Sequence, residues 1–242
     1  MTDQLEPLPT DWRRALAVVA HPDDLEYGVA AAVAAWTRAG KEVAYLLATR
    51  GEAGIDGIPP LESARIREAE QRRSAEIAGA STVEFLAYSD GVIEYGITLR
   101  RDIAAAIRRH RPELLVTGNF HDTWDGSYWN TPDHRAVGRA VLDAVSDTGN
   151  RWIFPDLVEQ GLSPWSGVRY VAVAGSPYPT HAVDITDTLP VGVEALRAHR
   201  TYLVGLGDHP MADPEGFLET VASLVAPRFG GRMATGFQLY TF

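Results

Sequence analysis

The stretch Leu16-Ala-Val-Val-Ala-His-Pro-Asp-Asp-Leu-Glu26 constrains the fold of this chain more than any other. Its apolar run suits a strand buried on both faces, as the central strands of parallel sheets are, and it stops abruptly at His21-Pro22. His21, Asp23, Asp24 and Glu26 follow within a few residues. Titratable groups at a strand end occupy the position where open α/β sheets collect their ligands. The same turn argues against a nicotinamide-binding unit. That fold needs Gly-x-Gly-x-x-Gly at its first turn, and carboxylates there would repel a pyrophosphate.

His21 and Asp24 lie three apart across a Pro-containing turn, a spacing that lets an imidazole nitrogen and a carboxylate oxygen meet at one cation. Hydrolysis at zinc needs three protein ligands and an open fourth position, so a third ligand must come from elsewhere. The best candidate is His134, in Asn130-Thr-Pro-Asp-His-Arg-Ala-Val-Gly138. Thr131 reads there as an N-cap and Pro132 as the first helical residue, which puts His134 in the first turn, facing the sheet end. A tight turn and a plain helix start would account for the same residues without a metal. The chain has no cysteine, so any zinc must be held by His, Asp or Glu, and two imidazoles favour zinc or another transition metal over Mg²⁺.

The rest of the chain alternates strand and helix. Strands are expected at 42–48, 83–86, 114–117, 168–174 and 182–185, and helices at 27–38, 62–78, 99–110, 135–145 and 189–203. With 242 residues, 45% hydrophobic, this pattern predicts a single three-layer, Rossmann-like α/β domain over residues 13–242 with a mostly parallel central sheet. Residues 1–12 read as a mobile, acidic, Pro-rich tail without a signal sequence, and a cytoplasmic location is expected. No run approaches the roughly 18 apolar residues of a membrane span. The formal charge of −10 argues against nucleic acid or an anionic membrane as the main partner. The loop 118–130 carries His121, Asp122, Trp124, Asp125, Tyr128 and Trp129, too polar and aromatic for a mere connector.

His21-Pro22-Asp23-Asp24-x-Glu26, Thr49-Arg50-Gly51-Glu52, Arg67-x-x-Glu70 and Pro132-Asp133-His134-Arg135 together resemble the PIG-L/LmbE-like zinc-dependent N-deacetylases, over about residues 15–199. The resemblance implies one Zn²⁺ per chain held by His21, Asp24 and His134, with Asp23 as general base. It also implies that Arg67 reaches the substrate, where the residues alone suggest a surface ion pair. The substrate implied is a small N-acylated molecule, an N-acetylglucosamine-type amide whose sugar Trp124 and Trp129 could stack on.

One position departs from the family. The usual pattern is His-Pro-Asp-His, with the first His stabilising the oxyanion, and here that place is held by Thr131. His121 or Tyr128 is expected to supply the missing donor. Glu26 either supports the start of the following helix or, preferably, hydrogen-bonds a ligand imidazole. Asp133 is assigned to the helix dipole, and His199 to packing or hydrogen bonding. Two rival readings remain: a non-catalytic, metal-containing sugar-binding module, and an amidase using another divalent metal.

Overall fold

A computed structural model describes residues 4–242. Its strands, in chain order, are β1 (Glu6–Pro7), β2 (Arg14–Val19), β3 (Glu42–Leu47), β4 (Thr82–Phe85), β5 (Leu114–Thr117), β6 (Tyr170–Ala174), β7 (His181–Asp184) and β8 (Ala234–Thr241). They form one sheet in the order β1-β7-β8-β6-β5-β2-β3-β4. Every pairing is parallel except the two that β8 makes with β6 and β7. The helices are α1 (Asp24–Gly28), α2 (Ala30–Arg38), α3 (Pro60–Ala78), α4 (Ile97–His110), α5 (Pro132–Gly149), α6 (Pro155–Glu159), α7 (Leu189–Arg197), α8 (Arg200–Gly205) and α9 (Pro214–Val225).

The apolar run before His21 lies in the central strand, β2, paired in register with β3 on one side and β5 on the other. Alternation along it splits the core into two layers. Ala15, Ala17 and Val19 pack on the α1, α2, α3, α7 and α9 side, with Tyr45, Val116 and Phe237. Leu16, Val18 and Ala20 face α4 and α5 through Ile103, Ile107, Val137 and Val141. Both faces are buried, which is why the strand reads as continuous rather than alternating hydrophobicity. Among the described residues no helix is long and apolar enough to cross a membrane.

Three expectations need correction. The segment read as a mobile tail is packed over its described part, residues 4–12: Glu6 and Pro7 pair with β7, and Leu5, Leu8 and Trp12 are buried. Trp12 meets Trp36 edge-on with ring centroids 5.4 Å apart. The prolines that suggested a loose tail sit instead at a sheet edge, where a missing N–H costs no ladder bond. Residues 1–3 lie outside the described residues. The helix expected at 27–38 starts three residues earlier and is interrupted at Val29, whose backbone leaves the helical region at φ −134°. The helix expected at 189–203 is broken at Ala198–His199, where the His199 ring is drawn into the interior.

Candidate metal centre

The carboxyl end of β2 lies between those of β3 and β5, where neighbouring connections leave the sheet in opposite directions. His21 emerges at this point. Its Nε2 is 3.0 Å from an Asp90 oxygen and 3.1 Å from Asp133. Carboxylates accept, so a ring proton belongs on Nε2, and Nδ1 is the nitrogen available to a cation. Asp24 Oδ2 accepts from the Ala20 and His21 N–H groups at 3.1 and 2.9 Å and stands 3.7 Å from His21 Nδ1. Its Oδ1 lies 3.0 Å from His134 Nε2.

His134 is placed by α5 as its capping residues dictate. Thr131 Oγ1 accepts from the His134 N–H at 3.4 Å, and Pro132 opens the helix. Asn130 then fixes the ring. Its Nδ2 donates to the Asn119 and His121 carbonyls at 2.7 and 3.0 Å, so Oδ1 must be the atom 3.0 Å from His134 Nδ1. Oδ1 only accepts, so Nδ1 carries the proton and Nε2 points its lone pair at Asp24.

One ring nitrogen from each histidine and an Asp24 oxygen lie within 4.8 Å of one another, close enough to share a metal ion. The donor set, two imidazoles and one carboxylate, suits zinc or a similar transition metal. Charge points the same way. Burial opposes a His21 cation, yet Asp24, Asp133 and Asp90 outweigh it and hold the imidazole pKa well above its usual value. Burial likewise opposes the Asp24 anion, and His134 and His21 outweigh it, holding this carboxyl well below the usual range. The pocket favours positive charge, and a metal at Nδ1 would replace the proton that otherwise sits there.

Asp23 is adjacent in sequence but faces elsewhere. Its backbone is left-handed, φ 81°, which turns the carboxylate from the ligand cluster toward α3. There Oδ2 accepts from Arg67 Nη2 at 2.9 Å. Burial raises its pKa against the pull of Arg67, and with the Asp24 charge nearby it is pushed up to about 6. A buried carboxyl near neutrality that is not a ligand fits a proton-transfer role.

Arg67 is not a surface ion pair: it is buried and lines the cleft that holds His21, Asp24 and His134. It is 2% exposed, donates through Nη1 to the Gly51 carbonyl at 3.1 Å and through Nη2 to the Pro22 carbonyl at 2.7 Å, and lies over the Tyr202 ring. Gly51 and Gly54 make room for it, since a Cβ on either would come within 2.3 and 2.0 Å of Nη1. Both neighbouring motif residues are structural. Glu52 accepts from the Asp90 N–H at 3.1 Å, and Glu70 accepts from the Thr201 N–H at the start of α8, whose Tyr202 covers Arg67.

Further corrections concern the outer residues. Glu26 hydrogen-bonds neither ligand imidazole: α1 projects it toward α3, where it accepts from Gln71 Nε2 at 2.8 Å and Ser74 Oγ at 2.6 Å. The imidazole partner is Asp133, which the sequence reading left to the helix dipole. It is buried, accepts from the Gly91 and Ile93 N–H groups at 2.7 and 3.0 Å, and orients His21. Asp90 is a further partner of His21 that the sequence does not announce. The signal available was an acidic residue just beyond another parallel strand, β4. His199 is fully buried, 3.5 Å from Glu26, and belongs to no metal-binding group found among the described residues.

The candidate metal cluster opens into a cleft of about 1030 Å³. Tyr128, exposed, and Trp124, edge-on to His134 with centroids 5.7 Å apart, line it. His121 does not: it is stacked on Phe120 and held by Gln238 Oε1 at 2.8 Å from Nε2. Trp129 lies outside the cleft, beneath the Arg135 guanidinium. Apolar residues Phe217, Leu218, Val221 and Ala222 of α9 also line the cleft.

Comparison with known proteins identifies the family. The model of the family described as PIG-L, GlcNAc-PI de-N-acetylase, matches residues 16–145. A curated diacetylchitobiose deacetylase from Thermococcus kodakarensis is 32% identical over 232 residues, covering 93% of this chain and 82% of its own. A probable N-acetyl-alpha-D-glucosaminyl L-malate deacetylase 2 from Bacillus anthracis is 29% identical, with 77% and 80% covered. The solved structure of N,N'-diacetylchitobiose deacetylase from Pyrococcus horikoshii with its inhibitor MPG superposes with a TM-score of 0.86 at 26% identity, covering 96% of this chain and 85% of that one. The chain is thus a member of the PIG-L family and, with its named relatives, an N-deacetylase.

Proposed function

We propose that this protein is a zinc-dependent hydrolase that removes an N-acetyl group from an N-acetylglucosamine-type small molecule. The observation that carries the reading is the division of labour between adjacent carboxylates. Asp24 is shared with His21 and His134, and Asp23 stands beside them, free of the cluster, with its pKa pushed up to about 6. A purely structural zinc site would close its fourth position with a protein ligand and have no use for a spare carboxylate.

His21 Nδ1, Asp24 and His134 Nε2 would hold the ion, which supplies Lewis acidity that brings the pKa of a water to about 7 and polarises the amide carbonyl. Asp23, ionised and fixed by Arg67, accepts a proton as water attacks that carbonyl and returns it to the departing amine. Negative charge developing on the carbonyl oxygen needs a further donor, because Thr131 replaces the family's His and its hydroxyl already caps α5. Of the two donors expected from the loop, only Tyr128 lines the cleft. Trp124 and Tyr128 offer faces on which a sugar ring can rest, and the size of the cleft suits a substrate larger than one acetamido group.

Elemental analysis of the purified protein, followed by amine release from N-acetylglucosamine, diacetylchitobiose and N-acetylglucosaminyl malate, tests the proposal. The expected result is one zinc per chain and release from at least one of the three. A chain that binds zinc but releases no amine from any acetylated sugar would sink it.

A further inference from the structure

The backbone of Asp23 poses a problem that the ligand cluster does not solve. A left-handed φ of 81° is unfavourable for a residue with a β-carbon and persists only where the surroundings over-determine it. Arg67 grips the carboxylate and the Pro22 carbonyl, and the Asp23 carbonyl accepts from the Glu26 and Tyr27 N–H groups at 2.9 and 3.0 Å, which leaves the Asp23 N–H as the main-chain group still to be held.

The main chain is held from α3. The Asp23 N–H donates to Gln71 Oε1 at 3.0 Å. The amide of Gln71 can adopt only this orientation, because its Nε2 donates to Glu26 Oε1 at 2.8 Å, and Glu26 cannot donate as a carboxylate. Glu26 is set in turn by Ser74 Oγ, which donates to the same oxygen at 2.6 Å. Gln71, Ser74 and Glu26 are buried, and Gln71 does not line the cleft. Ser74 and Gln71 are three apart on one face of α3, so a single helix presents both.

We infer that Gln71, oriented by Glu26 and Ser74, is a positioning residue that locks Asp23 in its left-handed conformation and thereby aims the base. The inference rests on the proposed deacetylase reading for its kinetic consequence, but not for its structural one. Gln71 touches no substrate. It acts through one hydrogen bond to the Asp23 N–H, while Arg67 holds the carboxylate and the preceding Pro22 carbonyl, so the base is held from both sides of its own Cα. Glu26, a motif residue that reaches neither imidazole, acquires a role in this arrangement: it keeps the Gln71 oxygen turned toward Asp23.

The test is Gln71→Met, nearly isosteric and unable to accept from Asp23. Its expected result is one metal per chain and KM within about twofold of wild type, with kcat lowered about 10- to 100-fold, the loss typical of a reacting group displaced by about an ångström. The exchange Glu26→Gln with Gln71→Glu reverses the pair while keeping an acceptor for the Asp23 N–H, and it should recover most of kcat. A crystal structure of Gln71→Met should show Asp23 out of the positive-φ region. Unchanged kcat in the folded variant, or Asp23 still near φ 81°, would overturn the inference. Should Gln71→Met not fold, Gln71→Asn, too short to reach Asp23, is read by the same criteria. The crystal structure decides the inference even if wild type proves to have no deacetylase activity, so the two ideas can fail separately.

Discussion

Asp23 and Asp24 are neighbours in sequence with the same side chain, and the structure treats them as opposites. Asp24 looks into the α4–α5 half of the sheet end, between two imidazoles that hold it ionised well below the usual carboxylate range. Asp23 looks toward α3, where burial dominates and raises it to about 6 despite Arg67. One left-handed residue separates the two environments. Identity of residue type therefore says little about role at such a turn, and the direction imposed by one backbone angle says a great deal.

The sharpest way to break this comparison is to neutralise each partner. Asp24→Asn should lose most bound metal and, with it, at least about three orders of magnitude in turnover, as expected when a ligand is removed from a three-residue site. Asp23→Asn should retain one metal per chain and lose about 10²- to 10⁴-fold in kcat, the range of general-base catalysis. Metal content measured beside kcat separates the two, and equal metal loss in both would show that Asp23 is a ligand after all.

The pH profile sharpens it further. A base must be ionised to accept a proton, and the Asp23 pKa is raised, so kcat/KM should be full above about pH 6 and fall as pH drops through that region. A bound cation would draw the limb somewhat lower. Residual activity of Asp23→Asn should lack this limb. A limb that persists unchanged in the variant would assign the titration to another group.

The smallest effects belong to the loop. Tyr128→Phe, which removes the one expected donor on the cleft wall, should lower kcat about 10-fold or more. His121→Ala should leave kcat within about twofold, because its ring is committed to Gln238 and Phe120 away from the cleft. A large loss in His121→Ala would mean that the loop rearranges when substrate binds.

What the sequence made legible was local. The β2 run, the His21-Pro22 turn, and the Thr131-Pro132 cap that aims His134 each depend on a handful of adjacent residues whose preferences agree. The features that stayed hidden depend on distant partners. Asp90 reaches His21 from beyond β4, Arg67 meets Asp23 across 44 positions, and Gln71 meets it across 48. Glu26 was recognised as important but given the wrong neighbour, because the interruption after Gly28 and the rotation of α1 toward α3 cannot be read from spacing. The same holds for the N-terminal residues, whose prolines look loose until β7 is placed beside them.

The sheet order ties distant segments of the chain together. β8, the last strand of the chain, is wedged antiparallel between β6 and β7, and β1 joins the sheet only through β7. Without β8, β7 has no strand linking it to β6, and β1, which pairs with β7, is cut off with it. Segments more than 220 residues apart thus complete one edge together, so loss of Ala234–Thr241 would detach Glu6–Pro7 as well.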